Sequence, residues 1–86
     1  MHELAITKEL LRISRETAKN NKLSFVREII LELGSLTAYE KEPIIYYFNE
    51  LKIGGDYLKN ADLKIVEKNN NEIKIISVKG EKNGNW

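Results

Sequence analysis

The sequence predicts an α+β domain in which two helices pack on a three-stranded β-sheet, in the order helix, strand, helix, strand, strand. Three observations carry this. An eighteen-residue stretch at the start has helical amphipathicity, the segment after it switches to period-two alternation, and two further short alternating segments close the chain. At 86 residues, with 42% hydrophobic and 31% charged content, there is room for one modest core and no second domain.

Residues 3 to 20 place Ile6, Leu10, Ile13 and Thr17 on one side of a helix, with Leu4, Leu11, Ser14 and Ala18 beside them. Lys8, Glu9, Arg12, Arg15, Glu16 and Lys19 take the other side, and Asn20-Asn21 supplies a stop. From Phe25 to Leu33 the period changes to two. Phe25, Ile29, Leu31 and Leu33 are expected on the inner face, with Val26, Glu28, Ile30 and Glu32 toward the other, and Gly34 ends the strand.

The polar segment Ser35 to Glu42 contains Thr37 and Glu40 at capping-box spacing. Pro43 is tolerated only in a first turn, so a short turn at 37 to 41 and a second helix opening near Pro43 are expected. That helix would bury Ile44, Ile45, Phe48 and Leu51 and stop at Gly54-Gly55. The four tyrosines, Tyr39, Tyr46, Tyr47 and Tyr57, gather in this region and read as packing.

Leu63 and Ile65 alternate with Lys64 in a second strand, and Ile73 and Ile75 alternate with Lys74 in a third that runs to about Lys79. Asn69-Asn70-Asn71 between them suggests a hairpin closed by a short turn. The adjacent Ile75 and Ile76 break the alternation, which marks either a bulge or burial on both faces. The tail from Glu81 to Trp86 has no periodicity, and whether Trp86 docks is open.

A formal net charge of +1 gives no field for steering the whole protein onto nucleic acid or anionic membrane. Neither is expected as a partner, and the absence of a long apolar run or a basic-then-apolar opening makes the expected location cytoplasmic. Cysteine is absent, and the one histidine is His2. Disulfides, thiolate chemistry and an interior histidine-based hydrolytic triad are thereby excluded for these residues, and histidine metal chemistry must pass through the chain's first residues.

A terminal Met1-His2 offers an α-amine, the backbone nitrogen of His2 and an imidazole nitrogen, close enough to chelate one ion. Nitrogens in one plane suit tetragonal or square-planar Ni(II) or Cu(II) better than tetrahedral zinc, and Glu3 offers its carboxylate or its backbone nitrogen as a fourth group. Acid weakens such a site by protonating amine and imidazole. The plainer alternative is a surface histidine followed by an acidic residue that suits a helix start.

Met1-His2-Glu3-Leu4-Ala5-Ile6 resembles the opening of the HypA family of nickel-insertion proteins. The resemblance continues through Ile29 to Thr37, Ile44 to Leu51, Ala61 to Ile65 and Glu72 to Val78, in the family's order. It implies a nickel metallochaperone and no enzyme, with ligands at Met1, His2 and Glu3 and an acidic neighbour at Glu40, which could equally be a helix-capping carboxylate. The implied partners are a maturation GTPase and a hydrogenase or urease precursor. The family's zinc module, with its two cysteine pairs, is replaced here by the short stretch Glu67 to Glu72, so no zinc is expected and residues 1 to 86 form a single nickel-binding domain. An interaction module that kept the scaffold without transferring nickel is the alternative. A homodimer by strand exchange stays open.

Lengths agree with a site shared between Glu40 and the chain start. An eighteen-residue helix of ~27 Å and a nine-residue strand of ~30 Å return the strand's end beside the helix's beginning, so Glu40 is expected near His2.

Overall fold

The computed structural model describes residues 2–54 and 57–82. Helix α1 spans Glu3–Asn20, strand β1 Leu23–Gly34, helix α2 Lys41–Leu51, strand β2 Asp62–Lys68 and strand β3 Ile73–Lys82, with a single 3-10 turn at Lys52–Gly54. Element order and the helix-on-sheet arrangement follow the expectation. Met1, Gly55 and the tail residues Asn83 to Trp86, with the expectations attached to them, lie outside the described residues.

The stop at Asn20-Asn21 has a defined chemistry. Asn21 donates to the Thr17 carbonyl from both its backbone N–H (3.0 Å) and its side-chain amide (2.8 Å). Lys22 then adopts φ 58°, the left-handed residue that reverses the chain into β1.

Sheet order is β2-β1-β3, with β1 parallel to β2 and antiparallel to β3. The expected hairpin between the second and third strands is therefore not formed. The most apolar strand takes the centre, where both its edges are paired. Helix α2 works as the crossover that returns the chain to a parallel neighbour. Residues 69 to 72 then bridge over the end of β1, a span of two strand spacings or ~10 Å, within reach of four extended residues at ~13 Å.

That bridge is knitted to the strand it crosses. Gly34 donates its N–H to the Glu72 carbonyl (2.7 Å), Ser35 to Lys68 (2.7 Å) and Leu36 to Asn70 (2.9 Å). The Asn70 side chain accepts from the Glu72 N–H (3.0 Å) and donates to Glu32 (3.2 Å). A Cβ on residue 34 would lie 2.3 Å from the Asn70 carbonyl oxygen. Only glycine lets the crossover pass so closely.

The inner face of the sheet carries Ile29, Leu31 and Leu33 in the middle, with Leu63 and Ile65 on β2 and Ile73, Ile75 and Val78 on β3. One residue of the expected face is misplaced. Phe25 is 42% exposed while Val26 is fully buried. The cause is a bulge: Val26 pairs with Gly80 and Glu28 with Lys79, so Arg27 is an extra residue that shifts the pleat. A second bulge falls at Ile76, since Ile30 pairs with Ser77 and Leu31 with Ile75. This is the bulge reading of the Ile75-Ile76 pair.

Helix α2 opens at Lys41, two residues earlier than expected, with Pro43 in its first turn. Ile44 and Phe48 are fully buried, Ile45 and Leu51 half-buried. Tyr39 and Tyr57 pack against the core, and Tyr46 and Tyr47 meet edge to face at the rim with ring centroids 5.4 Å apart. The buried stripe of α1 runs through Glu3, Thr7, Leu10, Leu11, Ser14 and Ala18. It is rotated from the expected Ile6, Leu10, Ile13, Thr17 line, with the small residues Thr7, Ser14 and Ala18 fully buried on a helix that packs against both α2 and the sheet. Ile13 is left 38% exposed.

On the outer face, Glu28 in the central strand sits between Lys64 of β2 (3.1 Å) and Lys79 of β3 (3.5 Å). Hydrogen bonding to Lys64 first, with the charges of both lysines, holds its carboxyl below its ordinary value of 4.5. A depressed carboxyl contributes stability that is present above its unfolded value and lost as pH falls through the folded one.

Two outcomes follow from this architecture. Gly34→Ala should destabilise the fold by about 3 kcal/mol, at the upper end of overpacking costs, as read by urea denaturation. Glu28→Gln should be less stable than the parent near pH 7 and equal to it near pH 2, where both carry an uncharged group; a difference that persists in acid would refute the electrostatic account.

Candidate metal site at the start of the first helix

His2 is the N-cap of α1, with φ −99° and ψ 48°; its carbonyl accepts the Ile6 N–H at 3.2 Å. Its imidazole is exposed and makes no capping bond. The backbone nitrogen of His2 lies ahead of the helix, so the hydrogen-bond ladder of α1 has no use for it.

Glu3, the first helical residue, is only 6% exposed. Its carboxylate accepts the backbone N–H of Glu40 at 3.0 Å, and its carbonyl accepts the Thr7 hydroxyl at 2.6 Å. Glu40 is itself the N-cap of α2, with extended φ −114° and ψ 146°. One carboxylate thus sits where two helices begin, and both positive dipole ends favour its charge. The Glu40 N–H, with the backbone N–H of Glu3 itself, holds the Glu3 carboxyl below its ordinary value against the opposing effect of burial.

The structure brings Glu40 to the start of α1, as the lengths imply, but through its backbone. Its side chain is exposed and forms no cap, and the capping box with Thr37 is absent. The Thr37 hydroxyl instead donates to the Gly34 carbonyl (2.8 Å) and accepts the Tyr39 N–H (3.3 Å), shaping the turn out of β1. The contact from Glu3 to the Glu40 amide is the feature that sequence reasoning missed. A backbone donor leaves no residue-type signal. Among the described residues, no three His, Cys, Asp or Glu side chains gather as a metal-ligating cluster.

Residues 1–74 match the family described as "Hydrogenase/urease nickel incorporation, metallochaperone, hypA". The chain belongs to this family. The hydrogenase maturation factor HypA of Legionella pneumophila (strain Corby) is 37% identical over 67 residues, covering 78% of this chain and 58% of the relative. That of Moorella thermoacetica is 37% identical over 68 residues, covering 79% and 59%. The chain thus spans a little under three fifths of the length of the curated HypA relatives it matches. The solution structure of the Ni metallochaperone HypA from Helicobacter pylori superposes with a TM-score of 0.87 over 95% of this chain and 99% of that one, at 18% identity, which shows a common fold.

If the Glu3 carboxylate joins the two helix starts, Glu3→Ala should speed hydrogen exchange at the Glu40 amide and lower the urea midpoint more than Glu9→Ala does. Glu3→Gln, which keeps an acceptor oxygen, should recover part of the loss. Unchanged exchange at Glu40 in Glu3→Ala would show that the bond contributes nothing.

Proposed function

We propose that this chain is a nickel metallochaperone and no enzyme: it carries Ni(II) as cargo at its first residues and surrenders it during hydrogenase or urease maturation. The observation that supports this most directly is the placement of His2. Its imidazole is exposed and its backbone nitrogen precedes the helix, so both can ligate without disturbing α1.

Met1 would supply the α-amine, His2 its backbone nitrogen and imidazole, and Glu3 a fourth group through its carboxylate or backbone nitrogen. Such a planar set suits Ni(II) and can release the ion stepwise. The engagement of Glu3 with Glu40 serves as the support behind these ligands, in the way that outer hydrogen bonds orient metal-binding groups. The Glu40 carboxylate, exposed at the mouth of the same site, would attract the cation without having to ligate it.

Residues 1 to 86 would do this as one nickel domain, without zinc: the sequence holds no cysteine, and the segment between β2 and β3 is a four-residue crossover. The receivers are proposed to be a cytoplasmic maturation GTPase and a hydrogenase or urease precursor. Among the described residues no helix is long and apolar enough to cross a membrane.

The test is a Ni(II) titration of protein beginning at Met1, by calorimetry and visible absorption, beside His2→Ala and a form extended by one glycine before Met1. One equivalent bound with a square-planar absorption band, lost in both variants, is the expected result. Binding that ignores both changes would sink the site and favour an interaction module that kept the fold without carrying nickel.

A further inference from the structure

Two independent features meet along β3. Its outer edge is unpaired among the described residues, since the sheet runs β2-β1-β3. Beside that edge, beneath α1, lies an apolar cleft of about 350 Å³ lined by Ile6, Leu10, Ile13, Leu31, Ile73 and Ile75. Glu9 at its rim is held by Arg12 at 2.6 Å, so no uncompensated acid guards the entrance.

We propose that this edge and cleft accept an added strand from another protein, an extended segment in which apolar residues alternate with acidic ones. Main-chain hydrogen bonds to β3 would supply the pairing, and alternate side chains would enter the cleft. Charge selects the occupant. Along β3 three lysines, Lys74, Lys79 and Lys82, face one acid, Glu81. The opposite edge strand, β2, is balanced, with Asp62 and Glu67 against Lys64 and Lys68.

The partners that these lysines have are loose ones. Lys74 approaches Glu72 and Lys79 approaches Glu28, each at 3.5 Å, and both lysine side chains are more than half exposed. Acidic residues of an added strand would therefore find cations waiting on the solvent side. A second copy of this chain fits poorly, because antiparallel self-pairing would line up two sets of the same three lysines along one ribbon. Edge lysines commonly block such self-association.

The cleft's own residues place an added strand close to the chain start. Ile6 lies one helical turn from His2, whose carbonyl accepts the Ile6 N–H. A segment bound along β3 would thus pass beside the start of α1. The inference stands whether or not nickel binds there.

The experiment uses a synthetic eight-residue peptide of alternating valine and glutamate, titrated into the isotope-labelled protein and followed by amide NMR. Expected are shifts and slowed exchange along β3, weakening with salt. Affinity should fall about five-fold in the double variant Lys74→Glu, Lys79→Glu, as two exposed charge pairs allow, and should also fall in Ile13→Glu, with each spectrum confirming a folded protein. Absence of binding, equal affinity for a valine-lysine peptide, changes confined to β2, or a β3 edge already protected in a protein of doubled mass would each overturn the proposal.

Discussion

Strand β1 must satisfy both of its edges at once, and most of the remaining geometry follows from how it does so. Its parallel neighbour can be reached only by a crossover, which assigns the role of α2; its antiparallel neighbour is reached by the four-residue bridge over its own C-terminal end. The bridge in turn demands a residue without a side chain at position 34, because the Asn70 backbone passes where a Cβ would stand. The chain leaving β1 is then directed by Gly34 and Leu36, bonded to the bridge, by Ser35, bonded to the end of β2 at Lys68, and by Thr37 on the Gly34 carbonyl. Glu40 arrives at the start of α1 as a result of those constraints.

The junction of the two helices is consequently electrostatic in character. Each helix start exposes unpaired N–H groups and a partial positive charge, and bringing two such ends together would cost free energy if nothing negative lay between them. The Glu3 carboxylate occupies that place, and its depressed pKa is the same fact seen from the acid's side. In the nickel reading, the bond from the Glu3 carboxylate to the Glu40 amide would hold the start of α1, and with it His2, in place behind the proposed ligands.

Much of this was legible in the residues, and the failures have identifiable causes. The first helix, its stop at two asparagines, the strand that Gly34 ends, the burial of Ile44 and Phe48, and the irregularity at Ile75-Ile76 all express local rules of period and cap. The exposure of Phe25 and burial of Val26 escaped because an inserted residue at Arg27 reverses the pleat while leaving no mark in composition. The hairpin failed for a different reason. Three asparagines announce a tight turn but not which strands it joins, and the crossover geometry of α2 decided that β1 would lie between them. The approach of Glu40 to the chain start followed from element lengths alone, whereas the atom that makes the contact did not.

The stripe of α1 shows how layer dimensions reshape a pattern that the sequence states correctly. Packed helices lie ~9 Å apart, while three strands span only ~10 Å between the outermost axes. Two helices centred on such a sheet therefore stand above its edge strands, and the outer flank of each overhangs the position of a missing neighbour. On the α1 side that flank carries Ile6 and Ile13, which helical period assigns to the core; the sheet residues that line the cleft with them are Leu31, Ile73, Lys74 and Ile75, and Ile13 stays 38% exposed. A polar flank would have sealed the edge at no cost to the core. The apolar one, beside a basic open strand, gives an incoming segment both a surface to bury and charges to meet, and the two together make the edge selective where either alone would be indifferent.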